Sequence, residues 1–112
     1  MGLDVTFRGL EPSETLRERA EEKFAKITKH LNEPIEATLV CLQEKHRQRA
    51  ELTVHAAGDV LKVREEGSDM YASIDGSMNR LARAARRLRE RRITRGRGGL
   101  IVTDGFTNPD PE

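Results

Sequence analysis

Apolar residues recur along the chain in two periods, and the switches between those periods lay out the elements. Leu3, Val5 and Phe7 alternate with Asp4, Thr6 and Arg8, the period-two pattern of a half-buried strand, and Gly9 breaks it. The segment EPSETLRERAEEKFAKITKHL changes to helical spacing, with Leu16, Ala20, Phe24, Ile27 and Leu31 at steps of three and four. Ser13 is placed to cap this helix, because its hydroxyl accepts from an orphan N–H of the first turn. Glu14 suits the positive end of the helix dipole.

Pro34 closes the connection that follows. Ile35 to Gln43 is rich in Thr, Val, Leu and Ile, with apolar residues in both alternating sets, as expected of a well-covered strand. Residues 44–48, EKHRQ, read as a polar turn. Ala50, Leu52, Val54 and Ala56 then alternate with Glu51, Thr53 and His55 in a half-buried strand. Gly58-Asp59 is a two-residue hairpin signal, Val60 to Glu66 the return strand, and Gly67 its close.

From Ser68 to Arg97 helical spacing returns, carried by Met70, Ile74, Met78, Leu81, Ala85 and Leu88. Ser68 or Asp69 caps its start and Gly96, Gly98 and Gly99 end it. Such a helix of about 26 residues reaches about 39 Å. The order is β-α-β-β-β-α. Two amphipathic helices need one sheet face to receive both stripes, so the expected fold is α+β, a two-layer sandwich with a four-stranded mixed sheet and both helices on one face. The first two strands are expected to be parallel across a crossover. Residues 1–96 form one domain in this reading and 97–112 a flexible tail. Leu100, Ile101, Val102 and Phe106 offer a docking segment, but the Asn, Pro and Asp beyond them favour disorder.

Charge changes the picture more than composition does. With 35% charged residues against 36% hydrophobic, and no Trp, the core must be small and mainly aliphatic. The net charge of +1 hides a segregated chain. Residues 1–78 balance at −4, residues 80–97 carry nine arginines against Glu90 for +8, and Asp104, Asp110 and Glu112 give the tail −3. At 100° per residue, Arg80, Arg83, Arg87 and Arg91 fall on one flank of the second helix beside its apolar stripe, and Arg86 widens that flank. A row of guanidinium forks along a rigid rod suits a row of phosphates. The bland alternative is a solvated helix face. Such faces normally mix signs, and a like-charged row at helical spacing destabilises the helix, so the row points to an anionic partner. Arg19, Lys23, Lys26 and His30 share a flank of the first helix and would widen the surface. Ordinary surface pairing, such as Glu22 with Lys26, explains them equally well. Lys62 adds a further exposed cation on the return strand.

Catalytic chemistry leaves little trace. His30, His46 and His55 lack metal-ligand spacing, the carboxylates form no convergent pair, and no phosphate-cradling glycine motif opens a helix. No enzyme, metal or cofactor is expected. The single Cys41 excludes an internal disulfide and reads as a buried thiol. No apolar run approaches the roughly 18 residues of a membrane span, and no leader is evident, so the expectation is a soluble cytoplasmic protein.

Glu66–Asp75, EGSDMYASID, resembles the signature of the ribosome hibernation factors, whose older label is sigma-54 modulation protein. Basic helix turns such as Leu81-Ala82-Arg83 follow it, and Lys23-Phe24-Ala25-Lys26 stands upstream at the family's spacing. The similarity covers roughly residues 3–94. It implies a fold similar to double-stranded-RNA-binding domains, and at this length the chain reads as a short hibernation factor, an inhibitor-A-like protein with a tail, or a truncated long form. It further implies binding in the messenger and transfer RNA channel of the small ribosomal subunit, through rRNA backbone contacts, with translation inhibited in stress or stationary phase. Lys23, Lys26, Arg80, Arg83, Arg86 and Arg87 match the family's RNA-facing positions. Arg91, Arg19, His30 and Lys62 join them from the charge pattern. Tyr71 and Asp75 belong to the signature and read as structural, Tyr71 packing on the sheet. The expected partners are the small subunit and its rRNA, with the isolated protein monomeric. A free-standing structured-RNA regulator, or a protein-interaction module acting on a sigma factor, stand as alternatives.

Overall fold

The computed structural model describes residues 2–95 and 99–106. The elements are β1 (Gly2–Arg8), α1 (Glu14–Thr28), β2 (Ile35–Glu44), β3 (Arg47–Ala56), β4 (Asp59–Gly67), α2 (Met70–Arg95) and β5 (Ile101–Asp104). They make the expected α+β sandwich, with one addition. The mixed sheet has five strands in the order β1-β2-β3-β4-β5, where four were expected.

Strands β1 and β2 are parallel, β2–β3 and β3–β4 antiparallel hairpins, and β4 and β5 parallel again. A parallel pair needs a long crossover, and each helix supplies one: α1 between β1 and β2, α2 between β4 and β5. Alternation sorts the sheet residues. Ala37, Leu39 and Cys41 of β2, Leu52 and Val54 of β3, and Leu61 and Val63 of β4 lie fully or almost fully buried under the helices. Leu16, Ala20 and Phe24 of α1 and Ile74, Met78, Leu81 and Leu88 of α2 close the core from above. Glu36, Thr38, Thr53, His55 and Lys62 point the other way, onto the open face.

The local signals act much as the sequence requires. Ser13 Oγ accepts from the Leu16 backbone N–H at 3.2 Å, and Asp69, not Ser68, caps α2 by accepting from Ala72 N–H at 2.8 Å. Gly96 and Gly98, expected to end α2, lie outside the described residues. The β3–β4 hairpin turns one residue earlier than expected. Ala57 and Gly58 hold the turn at φ 51° and 88°, and Ala56 pairs with Asp59. Two consecutive positive φ values are what a tight turn matched to strand twist demands, so Gly58 takes the second position and Asp59 is drawn into the strand. The Asp59 side chain is buried there, and its Oδ1 accepts the Leu100 backbone N–H at 2.9 Å.

That bond begins the departure from expectation. Residues 100–106 lie along the β4 edge: the Val60 N–H donates to Leu100 O at 2.8 Å, and Val102 is 2% exposed. Apolar residues at 100 and 102 facing the sheet and its helix outweigh the turn-rich composition that argued for disorder. Tyr71 also differs. Its ring is exposed in the first turn of α2 and sits under the Arg19 guanidinium at 5.4 Å, not on the sheet.

Candidate nucleic-acid interface

The long basic helix has two cationic flanks with different surroundings. Helical spacing brings Arg80, Arg83, Arg87 and Arg91 to one side, as the sequence predicts, but that side faces β5. Arg80 Nη1 donates to Asp104 Oδ1 at 2.7 Å and its Nε to the Glu65 carboxylate. Arg83 reaches Asp104 at 3.3 and 3.4 Å, and Arg87 Nη1 reaches it at 3.1 Å. Arg87 Nη2 also donates to Thr103 O at 2.7 Å, and Arg91 Nη1 to Ile101 O at 3.3 Å.

The expectation of an unpaired arginine row is therefore corrected for these four residues. Glu65 and Asp104 oppose Arg80, Arg83 and Arg87, which leaves one positive charge of three in that cluster. Burial of the Asp104 carboxyl, whose side chain is only 10% exposed, would raise its pKa. Hydrogen bonds from Arg83, Arg80 and Arg87 outweigh that effect and hold it at about 2.

The opposite flank of α2 faces α1. A shallow cleft of about 140 Å³ lies between the helices, lined by Ile27 and His30 of α1 and by Ala82, Ala85, Arg86 and Arg89 of α2. Small side chains at 82 and 85 keep its floor low, so the two arginines stand as a rim. Arg86, Arg89, His30 and Lys26 are exposed, as is Lys29 at the end of α1, and none of the five forms an ion pair among the described residues. This is an unneutralised cationic groove whose donors open to solvent.

At the other end of the same helix pair, Arg19 and Lys23 are engaged. Arg19 donates Nε and Nη2 to the two oxygens of Asp75 at 2.9 and 2.7 Å, and Lys23 Nζ lies 3.8 Å from Asp75. The Arg19 hydrogen bonds, helped by the charges of Lys23 and Arg19, hold the Asp75 carboxyl below its ordinary pKa of 3.8. These two cations brace the helices against each other and border the groove. Lys62 is separate. It projects from the open sheet face, 5.9 Å from the Phe106 ring, and takes no part in the groove.

Of the ten predicted site residues, the structure brings His30 and Arg86 together in the cleft, leaves Lys26 exposed one turn before His30 on α1, and engages Lys23 and Arg19 at the other end of the same helix pair. Arg89 lines the groove as well and was not singled out from the sequence. Arg89 lies one turn beyond Arg86, a spacing that marks it once the two flanks of α2 are treated separately. Chemically, the groove can donate several charge-assisted hydrogen bonds to phosphate oxygens and presents no acid–base pair for catalysis. Among the described residues, no group of His, Cys, Asp and Glu is disposed to hold a metal.

Known proteins share this chain's sequence pattern and fold. The sequence model of the family described as sigma 54 modulation protein / S30EA ribosomal protein matches residues 3–93. The ribosome hibernation promoting factor of Escherichia coli strain K12 is 36% identical over 83 residues, covering 74% of this chain and 87% of that protein. The protein of the same name from Salmonella typhimurium is 34% identical over 91 residues, 81% of this chain and 96% of that one. Those names describe hibernation factors, not enzymes. Among solved structures, the N-terminal domain of Thermus thermophilus Protein Y superposes with a TM-score of 0.71 at 28% identity, over 79% of this chain and 99% of that one. A ribosomal subunit interface protein from Coxiella burnetii shares the fold, with a TM-score of 0.72 at 22% identity over 80% of this chain and 99% of that one. With a match from Leu3 to the last turn of α2, this chain belongs to the sigma 54 modulation protein / S30EA ribosomal protein family.

Proposed function

We propose that this protein is a ribosome-associated hibernation factor, working in the cytoplasm. It binds the small subunit in the channel used by messenger and transfer RNA and thereby inhibits translation in stress or stationary phase. The observation that carries the reading is the α1–α2 groove, where His30, Arg86 and Arg89 line the cleft and Lys26 and Lys29 stand exposed nearby on α1, with no ion-pair partner for any of them among the described residues. An RNA backbone laid along it meets donors from two rigid helices at once, and such contacts fix position without reading bases. The names of the relatives supply the ribosome as the source of that RNA. The protein acts as a monomer in this reading, and Lys23 and Arg19 hold the groove open.

Co-sedimentation with purified small subunits across a salt series tests the proposal. Wild type is expected to bind with a steep salt dependence. Arg86→Glu combined with Arg89→Glu is expected to abolish binding at physiological salt while circular dichroism shows an intact fold. The milder Arg86→Ala plus Arg89→Ala pair should flatten the log–log salt slope by about 1 to 2, the share of two phosphate contacts. Undiminished binding by a folded charge-reversed variant removes the groove from the interface. Equal affinity for free duplex RNA and for subunits would make the protein a general structured-RNA binder instead.

A further inference from the structure

Strand β5 lies outside the region that matches the family, which stops at residue 93. What it does to the arginine flank therefore involves residues beyond that match. The Asp104 carboxylate sits in a cradle of three guanidinium groups, at 2.7 Å from Arg80, 3.1 Å from Arg87 and 3.3 Å from Arg83. Two further acceptors, Thr103 O and Ile101 O, take Arg87 and Arg91. One carboxylate and two carbonyls thus run along the helix and occupy the donors that a phosphate chain would use. The acceptors differ from phosphates mainly in carrying one full negative charge among three.

We infer that β5 is a displaceable strap: it covers the Arg80–Arg83–Arg87–Arg91 flank in the free protein, and RNA phosphates replace it there when the protein binds. The inference rests on the RNA-binding reading above and adds a second, normally masked, half to that surface.

The way the strap is held argues for exchange. It is four residues long, and its buried apolar anchor is Val102, while Ile101 is 64% exposed. Beyond its parallel ladder with β4, its hold comes from the polar contacts to α2, the Asp59–Leu100 bond and the Phe106 ring packed 4.6 Å from the Arg64 guanidinium. A multivalent phosphate chain can replace the contacts to α2 one for one. A strand meant to be permanent would be expected to lean on apolar burial, as β2, β3 and β4 do. A short strand on a sheet edge also leaves the rest of the sheet intact when it departs, because β4 keeps its ladder with β3.

The test uses the full chain with two probes, purified small subunits and inorganic polyphosphate, and reads amide hydrogen exchange over Leu100–Asp104. Saturation with either probe is expected to speed exchange there by about tenfold or more, while β2 and β3 stay protected. Two variants should bind polyphosphate about three- to tenfold more tightly, as expected when a competing state that holds most of the population is removed. They are Asp104→Asn, which empties the arginine cradle, and Val102→Asp, which removes the apolar anchor. The second variant adds a negative charge, so tighter binding by it cannot be a simple charge effect. Protection of β2 and β3 verifies that both variants are folded. Unchanged or slower exchange over Leu100–Asp104 at saturation, or no gain in affinity from either variant, overturns the strap. If polyphosphate releases β5 but small subunits do not bind, the strap stands and the ribosomal reading fails. If subunits bind through the groove with β5 still protected, the ribosomal reading stands and the strap fails.

Discussion

Arg19 of α1 and Asp75 of α2 meet as a two-pronged pair, with near-equal hydrogen bonds of 2.9 and 2.7 Å between residues 56 apart in sequence. The pair sets the spacing of the two helices and so the width of the groove beyond it. Lys23 adds its charge from one turn further along α1. The Tyr71 ring, which packs against the same guanidinium, keeps Arg19 from turning out to solvent.

Replacing Asp75 with Asn should therefore loosen the helix pair without unfolding the sheet. Asp75 has a lowered pKa in the folded protein, so its contribution to stability is present above the ordinary carboxylate value and is lost as pH falls through the acid range. Thermal melts between pH 3 and pH 7 should show Asp75→Asn less stable than wild type at neutral pH, with the gap closing toward the acid end. The pair is partly exposed, so molar salt should also narrow the gap. A gap that stays constant with both pH and salt would mean that the pair contributes through packing alone.

Asp104 makes a sharper acid prediction. Its pKa is depressed from 3.8 to about 2, so its hold on the arginines is complete above the unfolded value and disappears as pH falls through the folded one. Between about pH 4 and pH 2, amides of Leu100–Asp104 should lose protection ahead of β3. Asp104→Asn should show that exposed state already at neutral pH. Residue-resolved exchange measured at several pH values checks both statements.

The difference between what the sequence disclosed and what it hid has a physical source in these same residues. Periodicity exposed every element whose apolar stripe is long enough to repeat: β1 through Leu3, Val5 and Phe7, and α2 through Met70 to Leu88. The two helix flanks carrying Arg80 and Lys26 followed from the same arithmetic. Strand β5 has one buried residue of four, so alternation had nothing to repeat, and the Asn, Pro and Asp beyond it pointed to disorder. The partners of the arginine row were equally hidden. Spacing reveals like charges along one helix, but the acid that meets them, Asp104, comes from a strand brought back by the fold. The run Leu100-Ile101-Val102 beside a lone aspartate was the available signal.

The core should respond in proportion to burial. Leu81 is completely buried at the middle of α2, where α2 crosses the sheet, and Leu81→Ala should destabilise the fold by about 2–5 kcal/mol through lost transfer energy and the cavity left behind. Ile101, mostly exposed, should tolerate Ala within about 0.5 kcal/mol. Denaturant midpoints at constant m-value measure both. A large loss at Ile101 would mean that its side chain is covered in solution.

Cys41 reports on the sheet that supports the groove. It lies fully buried in β2, and burial, against a smaller opposing effect of the Arg17 charge, pushes its thiol up to about 11. At pH 8 only about one thiol in a thousand would be ionised at that pKa, and the reagent must also reach it, so a water-soluble disulfide reagent should label native protein only as fast as β2 opens. Guanidinium-unfolded protein should label at the rate of an ordinary free thiol. Variants confined to the helix surface, such as Arg86→Glu with Arg89→Glu, should keep the slow native rate, because β2 lies under the helices and away from the changed charges. Labelling of that variant at the unfolded rate would show that its loss of binding comes from a broken fold and not from a missing contact. The thiol thus separates the two explanations in the same tube as the binding measurement.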